Sequence, residues 1–203
     1  ACGYVAKGRM EEPMQILSVI NKFFTQQENV VKSSFSGKHA LVTAGPTVEV
    51  IDPVRYVSNR SSGKMGYAIA EALRDKGAIV TLISGPTHLS LPEGINVVKV
   101  ESADDMFQAV TERFAKQDIV IKAAAVSDYT PMDILEHKLK KQEGGLSVQF
   151  KRTKDILKYL GENKTHQYLV GFAAETQNIE QYALDKLKRK NADVIISNNV
   201  GDT

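Results

Sequence analysis

The chain has 203 residues, with 26 basic and 24 acidic side chains and a formal net charge of +2. This length suits one sizeable domain with its own core, and the nearly balanced charge argues against a dedicated nucleic-acid or membrane surface. Cys2 is the only cysteine, which excludes a disulfide framework and fits a cytoplasmic location. No apolar run approaches the length of a membrane span.

The predicted elements begin with a short N-terminal part. Residues 1–27 combine a Gly-punctuated loop with a helix that Pro13 opens, where apolar residues recur at helical spacing. Residues 28–38 are polar and rich in Ser and Gly, which is typical of a linker.

From residue 39 onward, short apolar strands alternate with amphipathic helices. This alternation predicts an α/β, Rossmann-like, three-layer fold with a mostly parallel central sheet. The alternating segment 146–151 predicts an added antiparallel strand. The predicted strands are 39–45, 79–85, 96–101, 118–125, 168–174 and 193–197, and the predicted helices are 64–76, 103–116 and 179–190.

The segment from Asn59 to Gly66 reads Asn-Arg-Ser-Ser-Gly-Lys-Met-Gly and lies just before a predicted helix. Small residues and backbone amides at a helix start form an anion cradle, so a phosphorylated ligand is the simplest occupant. The segment matches neither a Walker loop nor the Gly-x-Gly-x-x-Gly fingerprint. Capping of the helix remains an alternative interpretation of Ser61 to Gly63.

Ligands of such sheets bind beyond the carboxyl ends of the strands, so residues that follow strands are further candidates. Each candidate also has an ordinary structural interpretation: a turn for the segment from Gly45 and for Asp128, core packing for Phe172, and a solvated face for the basic run 137–141. The four histidines show no metal-ligand spacing, and no metal ligands are predicted.

Five segments carry a resemblance to a known family. They are Thr-Ala-Gly-Pro-Thr at 43–47, Ile-Asp-Pro-Val-Arg-Tyr-Val-Ser-Asn-Arg-Ser-Ser-Gly-Lys-Met-Gly at 51–66, Ala-Ala-Ala-Val-Ser-Asp at 123–128, His-Lys-Leu-Lys-Lys at 137–141 and Gly-Phe-Ala-Ala-Glu-Thr at 171–176. Together they closely resemble the phosphopantothenoylcysteine synthetase domain of bacterial bifunctional coenzyme A biosynthesis proteins. The resemblance implies a synthetase domain at 39–203 that stops short of the family's C-terminal continuation.

The first 13 residues resemble the end of a flavin-dependent decarboxylase domain. On this resemblance, residues 1–27 are a remnant of that domain, Cys2 is its proton donor, and FMN belongs only to the missing body of the domain. The chain is therefore not expected to decarboxylate.

The resemblance also implies a reaction. The carboxylate of 4′-phosphopantothenate attacks the α-phosphate of CTP in the presence of Mg²⁺, which gives an acyl cytidylate and pyrophosphate. L-Cysteine then displaces CMP. Homodimerisation of the synthetase domain is expected, and larger assemblies are expected to need the decarboxylase domain.

By position in the motifs, the resemblance assigns catalytic roles to Asn59 and Lys138, with Lys140 and Lys141 assisting. Arg55 is expected to reach the substrate phosphate across the dimer interface. The implied nucleotide-binding residues are Gly45, Ser61, Gly63, Gly66, Asp128, Lys138, Phe172 and Asn198, and the implied substrate-binding residues are Arg55, Asn59, Ala124, Ala125 and Asp128.

Two other functions compete with this interpretation. An NAD(P)-dependent oxidoreductase shares the sheet but needs a dinucleotide fingerprint and usually an acidic residue after the second strand, where Ser84-Gly85-Pro86 stands. A regulatory or assembly module would bind a nucleotide without turnover.

Overall fold

A computed structural model describes residues 13–25, 34–140, 146–175 and 179–199. Its centre is a six-stranded sheet in which every pair of neighbouring strands is parallel. The strands are β1 (His39–Ala44), β4 (Ile79–Ser84), β5 (Asn96–Lys99), β6 (Ile119–Lys122), β9 (Tyr168–Glu175) and β10 (Val194–Asn199). The remaining elements are the helices α1 (Pro13–Thr25), α2 (Lys64–Asp75), α3 (Ala103–Phe114), α4 (Ile156–Asn163) and α5 (Ile179–Arg189), and the short strands β2 (Val48–Val50), β3 (Tyr56–Ser58), β7 (Tyr129–Pro131) and β8 (Phe150–Arg152).

The order of strands across the sheet is β10-β9-β6-β1-β4-β5. Strands β4 and β5 therefore lie on one side of β1, and β6, β9 and β10 lie on the other, as in a Rossmann fold. The order reverses between β1 and β6, and this switch point is where doubly wound sheets bind ligands beyond the carboxyl ends of the strands. The predicted fold class is confirmed.

Both faces of the sheet are covered, which is why its strands read as nearly continuous apolar runs. On one face, Val42 and Ile121 pack in a buried cluster with residues of α1 and α2 such as Ile69. On the other face, Leu41 and Val120 pack in a cluster with α3 and α4. Alternate residues of β1 thus serve opposite faces, because side chains alternate along a strand.

Helix α1 is built into this domain. Ile16, Leu17 and Ile20 are buried in the same cluster as β1 and α2. Phe35, which falls in the predicted linker 28–38, is fully buried there, and its backbone N–H donates to Lys76 O at 3.3 Å. Phe35 is thus an anchor within that segment, whereas residues 36–38 are exposed.

Two antiparallel ribbons flank the switch point. Strands β2 and β3 form a hairpin inside the long connection between β1 and α2. The antiparallel strand predicted at 146–151 is β8, which begins only at Phe150, because residues 146–149 form no strand. It pairs with β7 in a ribbon of its own beside the main sheet. Glu49 of the hairpin is buried, and its Oε1 accepts the Ala103 N–H at 2.9 Å, which anchors β2 to the start of α3. Among the residues that the structure describes, no helix has the length and apolar character needed to cross a membrane.

Candidate functional site

The loops after β1 and β6 are joined directly at the switch point. Pro46 forms an isolated parallel bridge with Ala125, and Ala125 N donates to Gly45 O at 2.9 Å. Two buried hydroxyls add to this joint: Thr43 Oγ1 accepts from Ala124 N at 3.2 Å, and Thr47 Oγ1 accepts from Ser127 N at 3.0 Å. Sequence reasoning assigned no role to these hydroxyls, although each lies at or just after the end of an apolar strand.

Asn59 connects the predicted cradle to this joint. Its Nδ2 donates to the carbonyl oxygens of Ala125 and Val126, both at 3.2 Å. Since both partners are acceptors, the amide nitrogen must face them, and Oδ1 points away from the strand end. Asn59 is exposed, and Ala124 and Ala125 are half-buried. The structure therefore brings together three of the residues predicted to bind substrate.

The cradle is shaped by glycines at the start of α2. Gly63 is the N-cap residue with a φ of 77°. The Oγ atoms of Ser61 and Ser62 accept long hydrogen bonds from Gly63 N at 3.4 Å and Lys64 N at 3.5 Å, as the capping interpretation expects. A Cβ on Gly66 would lie 2.5 Å from Ala44 Cβ, so only glycine allows the first turn of α2 to approach the end of β1 this closely. The positive helix end is thus held against the switch point, where an anion is favoured.

A network of three hydroxyls supports the cradle from the side. Tyr67 OH lies 3.1 Å from both Ser84 Oγ and Thr87 Oγ1. The Thr87 methyl in turn packs on the glycines, because Cβ atoms built on Gly45 and Gly63 would lie 2.9 and 2.7 Å from it. Sequence reasoning missed this support, since a single Tyr on a helix carries no local signal of its partners.

The basic segment after β7 is held by the turn of the β2–β3 hairpin. Arg55 Nη2 donates to Leu139 O at 2.9 Å, and Leu139 N donates to Asp52 Oδ2 at 3.2 Å. Burial of Asp52 acts to raise the pKa of its carboxyl group, but the N–H groups of Val54, Leu139 and Arg55 and the Arg55 charge outweigh it and hold the pKa below its usual value. Arg55, predicted to contact substrate phosphate, is thus engaged within its own chain.

The other predicted site residues lie around the same edge. Asp128 and Lys138 are exposed, Ser61 is half-buried, and Phe172 is half-buried against the apolar cluster of α1 and α2. Asn198 lies near the carboxyl end of β10. Cys2 and Lys141 lie outside the described residues.

Lys122, which the sequence reasoning did not single out, ends β6 just before the alanine run. Burial and the nearby Lys186 charge lower its pKa to about 8, partly offset by Asp155 and Asp128. This half-buried lysine beside the switch point adds positive charge to this edge of the sheet below that pH.

No group of three or more His, Cys, Asp or Glu side chains is placed to hold a metal ion within the described ranges. The prediction of Mg²⁺ stays a prediction.

Fold and topology define the class: a Rossmann-type α/β domain whose open edge carries a glycine-lined helix start and a basic segment. A family model described as the DNA/pantothenate metabolism flavoprotein C-terminal domain matches residues 35–203. The chain belongs to this family.

Individual relatives agree with the family assignment. The chain is 54% identical over 201 residues to the coenzyme A biosynthesis bifunctional protein CoaBC of Bacillus subtilis and 48% identical over 201 residues to that of Haemophilus influenzae, covering 98% of this chain and 49% of each relative. The chain thus spans about half the length of these relatives. A crystal structure of a CoaBC C-terminal domain superposes with a TM-score of 0.74 at 52% identity, covering 81% of this chain and 79% of that one.

The same comparisons correct the interpretation of residues 1–27 as the tail of a decarboxylase domain. The match is to the C-terminal, synthetase half of CoaBC: the family model covers 35–203, and the relatives align with nearly the whole chain over about half of their own length. Packing gives the physical reason, because α1 buries Ile16, Leu17 and Ile20 in the core of this domain. The tail interpretation is wrong.

Proposed function

We propose that this domain is a phosphopantothenate–cysteine ligase of coenzyme A biosynthesis. The observation that carries the proposal is the contact of Asn59 with Ala125 and Val126, which joins the predicted anion cradle to the predicted substrate segment. The names of the relatives, which refer to coenzyme A biosynthesis, support the same pathway.

In the first half-reaction, a carboxylate oxygen of 4′-phosphopantothenate attacks the α-phosphorus of CTP. The bond from that phosphorus to the pyrophosphate oxygen breaks, and pyrophosphate leaves with both electrons. Two anions meet in this step, so charge neutralisation is the main requirement. The start of α2, the exposed Lys138 and the basic segment around it supply positive charge. Bound Mg²⁺ would supply further neutralisation of the triphosphate.

In the second half-reaction, the amine of L-cysteine attacks the acyl carbon of the cytidylate. The carbon–oxygen bond breaks, CMP leaves, and the amine loses a proton as the amide forms. Asn59 is suited to orient the acyl intermediate, because its Nδ2 is fixed on the end of β6 and its Oδ1 faces away from the strand. A protein nucleophile is not required by this chemistry.

The half-reactions give separate tests of the two proposed catalytic residues. Lys138→Gln is expected to slow pyrophosphate release by roughly 100-fold, the usual effect of removing one group that stabilises transition-state charge. Asn59→Asp is expected to release pyrophosphate but to accumulate the acyl cytidylate. Normal pyrophosphate release by the first variant, or normal amide formation by the second, would remove that residue from its role.

The competing functions make different predictions in the same assay. A nucleotide-binding module without turnover binds CTP but releases no pyrophosphate when 4′-phosphopantothenate is added. An NAD(P)-dependent oxidoreductase shares the strand order, but the hairpin of β2 and β3 replaces the short glycine loop that such enzymes place after the first strand. Hydride transfer with CTP-independent turnover would favour that alternative.

A homodimer is part of the proposal, and exposed apolar side chains on β3, on β7 and on the segment after β7 support it. Tyr56 is 62% exposed, Ile134 66% and Tyr129 50%. Large exposed apolar side chains of this kind are what a protein–protein interface would cover. Sedimentation of Tyr56→Ser is expected to show more monomer, whereas Tyr182→Ser on α5, where the native tyrosine is 46% exposed, serves as the matched control. Equal effects, or none, would argue against this interface.

A further inference from the structure

Side chains of one distant turn hold both the backbone N–H and the backbone carbonyl of Leu139. Asp52 Oδ2 accepts the Leu139 N–H at 3.2 Å, and Arg55 Nη2 donates to the Leu139 carbonyl at 2.9 Å. A third bond, from Leu135 N to Ile51 O at 3.0 Å, ties the start of the same segment to the same turn. Leu139 lies between Lys138 and Lys140, so the fixed peptide sits in the middle of the basic segment.

Asp52 is organised for this task. Its side chain is 1% exposed, and its two oxygens have divided roles. Oδ1 accepts the N–H groups of Val54 and Arg55 at 2.8 and 2.9 Å, which shapes the hairpin turn. Oδ2 faces the Leu139 N–H and lies 3.5 Å from Arg55 Nη1. One carboxylate therefore builds the turn with one oxygen and holds the basic segment with the other.

Long-range bonds order the held segment: Met132 at its start donates its N–H to Gln149 O at 2.9 Å, and the turn holds Leu135 and Leu139. Residues 132–140 follow β7 without forming a helix or strand, and the side chains of Lys138 and Lys140 are exposed. Neighbouring positive charges repel, and the cost of fixing a loop residue is of the order of 1–2 kcal/mol per residue. A segment that is ordered before the substrate binds avoids this cost in the complex.

We propose that Asp52 and Arg55 form a latch on Leu139 that presets Lys138 for the first half-reaction. Asp52 is a positioning residue in this scheme, because it acts through Leu139 and its neighbour. The five N–H donors of a guanidinium allow Arg55 to keep the Leu139 carbonyl while offering other donors to a phosphate. The catalytic part of the inference rests on the proposed function, whereas the ordering of the segment does not.

Asp52→Asn is expected to keep the role of Oδ1 in the turn and to remove the role of Oδ2 in holding Leu139. The asparagine oxygen is expected to stay on the two N–H groups of the turn, which leaves its NH₂ group facing the Leu139 N–H and the Arg55 guanidinium, where no acceptor remains. Glu49→Gln is the matched control: Glu49 is another buried carboxylate on the same hairpin, and it accepts a backbone N–H from Ala103 at 2.9 Å away from the basic segment.

Limited trypsin digestion of the native chain tests the latch without any substrate. Cleavage after Lys138 and Lys140 is expected to become roughly 10-fold faster in Asp52→Asn, as for loss of a hydrogen bond to a charged group, and to stay unchanged in Glu49→Gln. Hydrogen exchange of the Leu139 amide should accelerate in parallel. Unchanged cleavage in Asp52→Asn, or an equal increase in both variants, would overturn the latch.

The catalytic part is tested by the split between half-reactions. Asp52→Asn is expected to lower kcat for pyrophosphate release by about 10-fold and to leave the reaction of preformed acyl cytidylate with cysteine unchanged. The double variant with Lys138→Gln should be no slower than Lys138→Gln alone, because both act through one group. Additive losses, or equal losses in both half-reactions, would refute the positioning role. If the unaltered chain releases no pyrophosphate, the proposed function fails, and the digestion experiment still decides the latch.

Discussion

Replacing Gly63 by alanine tests whether the cradle depends on close packing as well as on glycine's backbone freedom. Gly63 has a φ of 77°, and a left-handed conformation costs an alanine about 1 kcal/mol. The added Cβ would also lie 2.7 Å from the Thr87 methyl and 3.3 Å from the Cα and N of Gly45. Carbon atoms prefer separations of about 3.5–4.0 Å, so this overlap adds roughly 1–3 kcal/mol. The expected loss in the free energy of unfolding is about 2–4 kcal/mol.

Gly37→Ala is the matched control, because Gly37 has a φ of 75° but a Cβ there would meet nothing within 4 Å. Its expected cost is about 1 kcal/mol, from the backbone alone. Thr87→Ser removes the methyl that causes the main clash and keeps the hydroxyl that contacts Tyr67. The double variant with Gly63→Ala should therefore regain much of the stability. Urea unfolding is measured for the native chain, the three single variants and the double variant. Equal losses for Gly63→Ala and Gly37→Ala, or no recovery with Thr87→Ser, would refute the packing argument.

Three further predictions concern charged residues outside the cradle. Lys122→Met should raise the free energy of unfolding at pH 7 by up to about 3 kcal/mol. The reason is that the folded-state pKa of about 8 lies below the ordinary value of 10.5, so the native lysine destabilises the fold increasingly as pH falls from 10.5 to 8. A stability difference from the native chain that does not shrink above pH 10 would contradict this. Glu49→Ala should cost about 1–3 kcal/mol in urea unfolding by leaving the Ala103 N–H without its acceptor, and an unchanged midpoint would refute the anchor. Asp105→Ala should lower the free energy of unfolding by about 1 kcal/mol at pH 7, because it removes half of the capping box that Asp105 forms with Ser102 at the start of α3. Backbone and side-chain hydrogen bonds from Ser102 lower the Asp105 pKa, so the stability difference should vanish as pH falls through that lowered pKa. A stability difference that does not depend on pH would contradict this role of Asp105.

The sheet was predictable because its strands are short apolar runs separated by amphipathic helices. Strand β6 was predicted as 118–125 but is Ile119–Lys122, since Ala124 N turns to Thr43 Oγ1 instead of continuing the ladder. Helix α4 was missed because it has only eight residues and contains Gly161, which reads as a helix breaker. Its signal was present in Asp155, which caps the helix through the Lys158 N–H.

The position of the site was predictable from the sequence, whereas the long-range side-chain hydrogen bonds around it were not. Glycines and polar residues after strands indicated the open edge of the sheet, and the structure brings Asn59 to the end of β6 as expected. The latch was not predictable, because Leu139 lies 84 residues from Arg55 and 87 from Asp52, and no local pattern connects them. The hydroxyl network around Tyr67 is hidden for the same reason. Such hydrogen bonds between residues far apart in sequence form because the parallel sheet brings their loops to the same edge.

The central claim is that this domain activates a carboxylate by transfer of a nucleotidyl group, and the fate of the carboxylate oxygen tests it most directly. The chain is supplied with CTP, Mg²⁺, L-cysteine and 4′-phosphopantothenate whose carboxylate carries a heavy oxygen isotope, and the products are analysed by mass spectrometry. One labelled oxygen is expected in CMP and none in pyrophosphate, because the acyl carbon–oxygen bond breaks in the second step. Label in inorganic phosphate with release of CDP, or no turnover at all, would contradict the account.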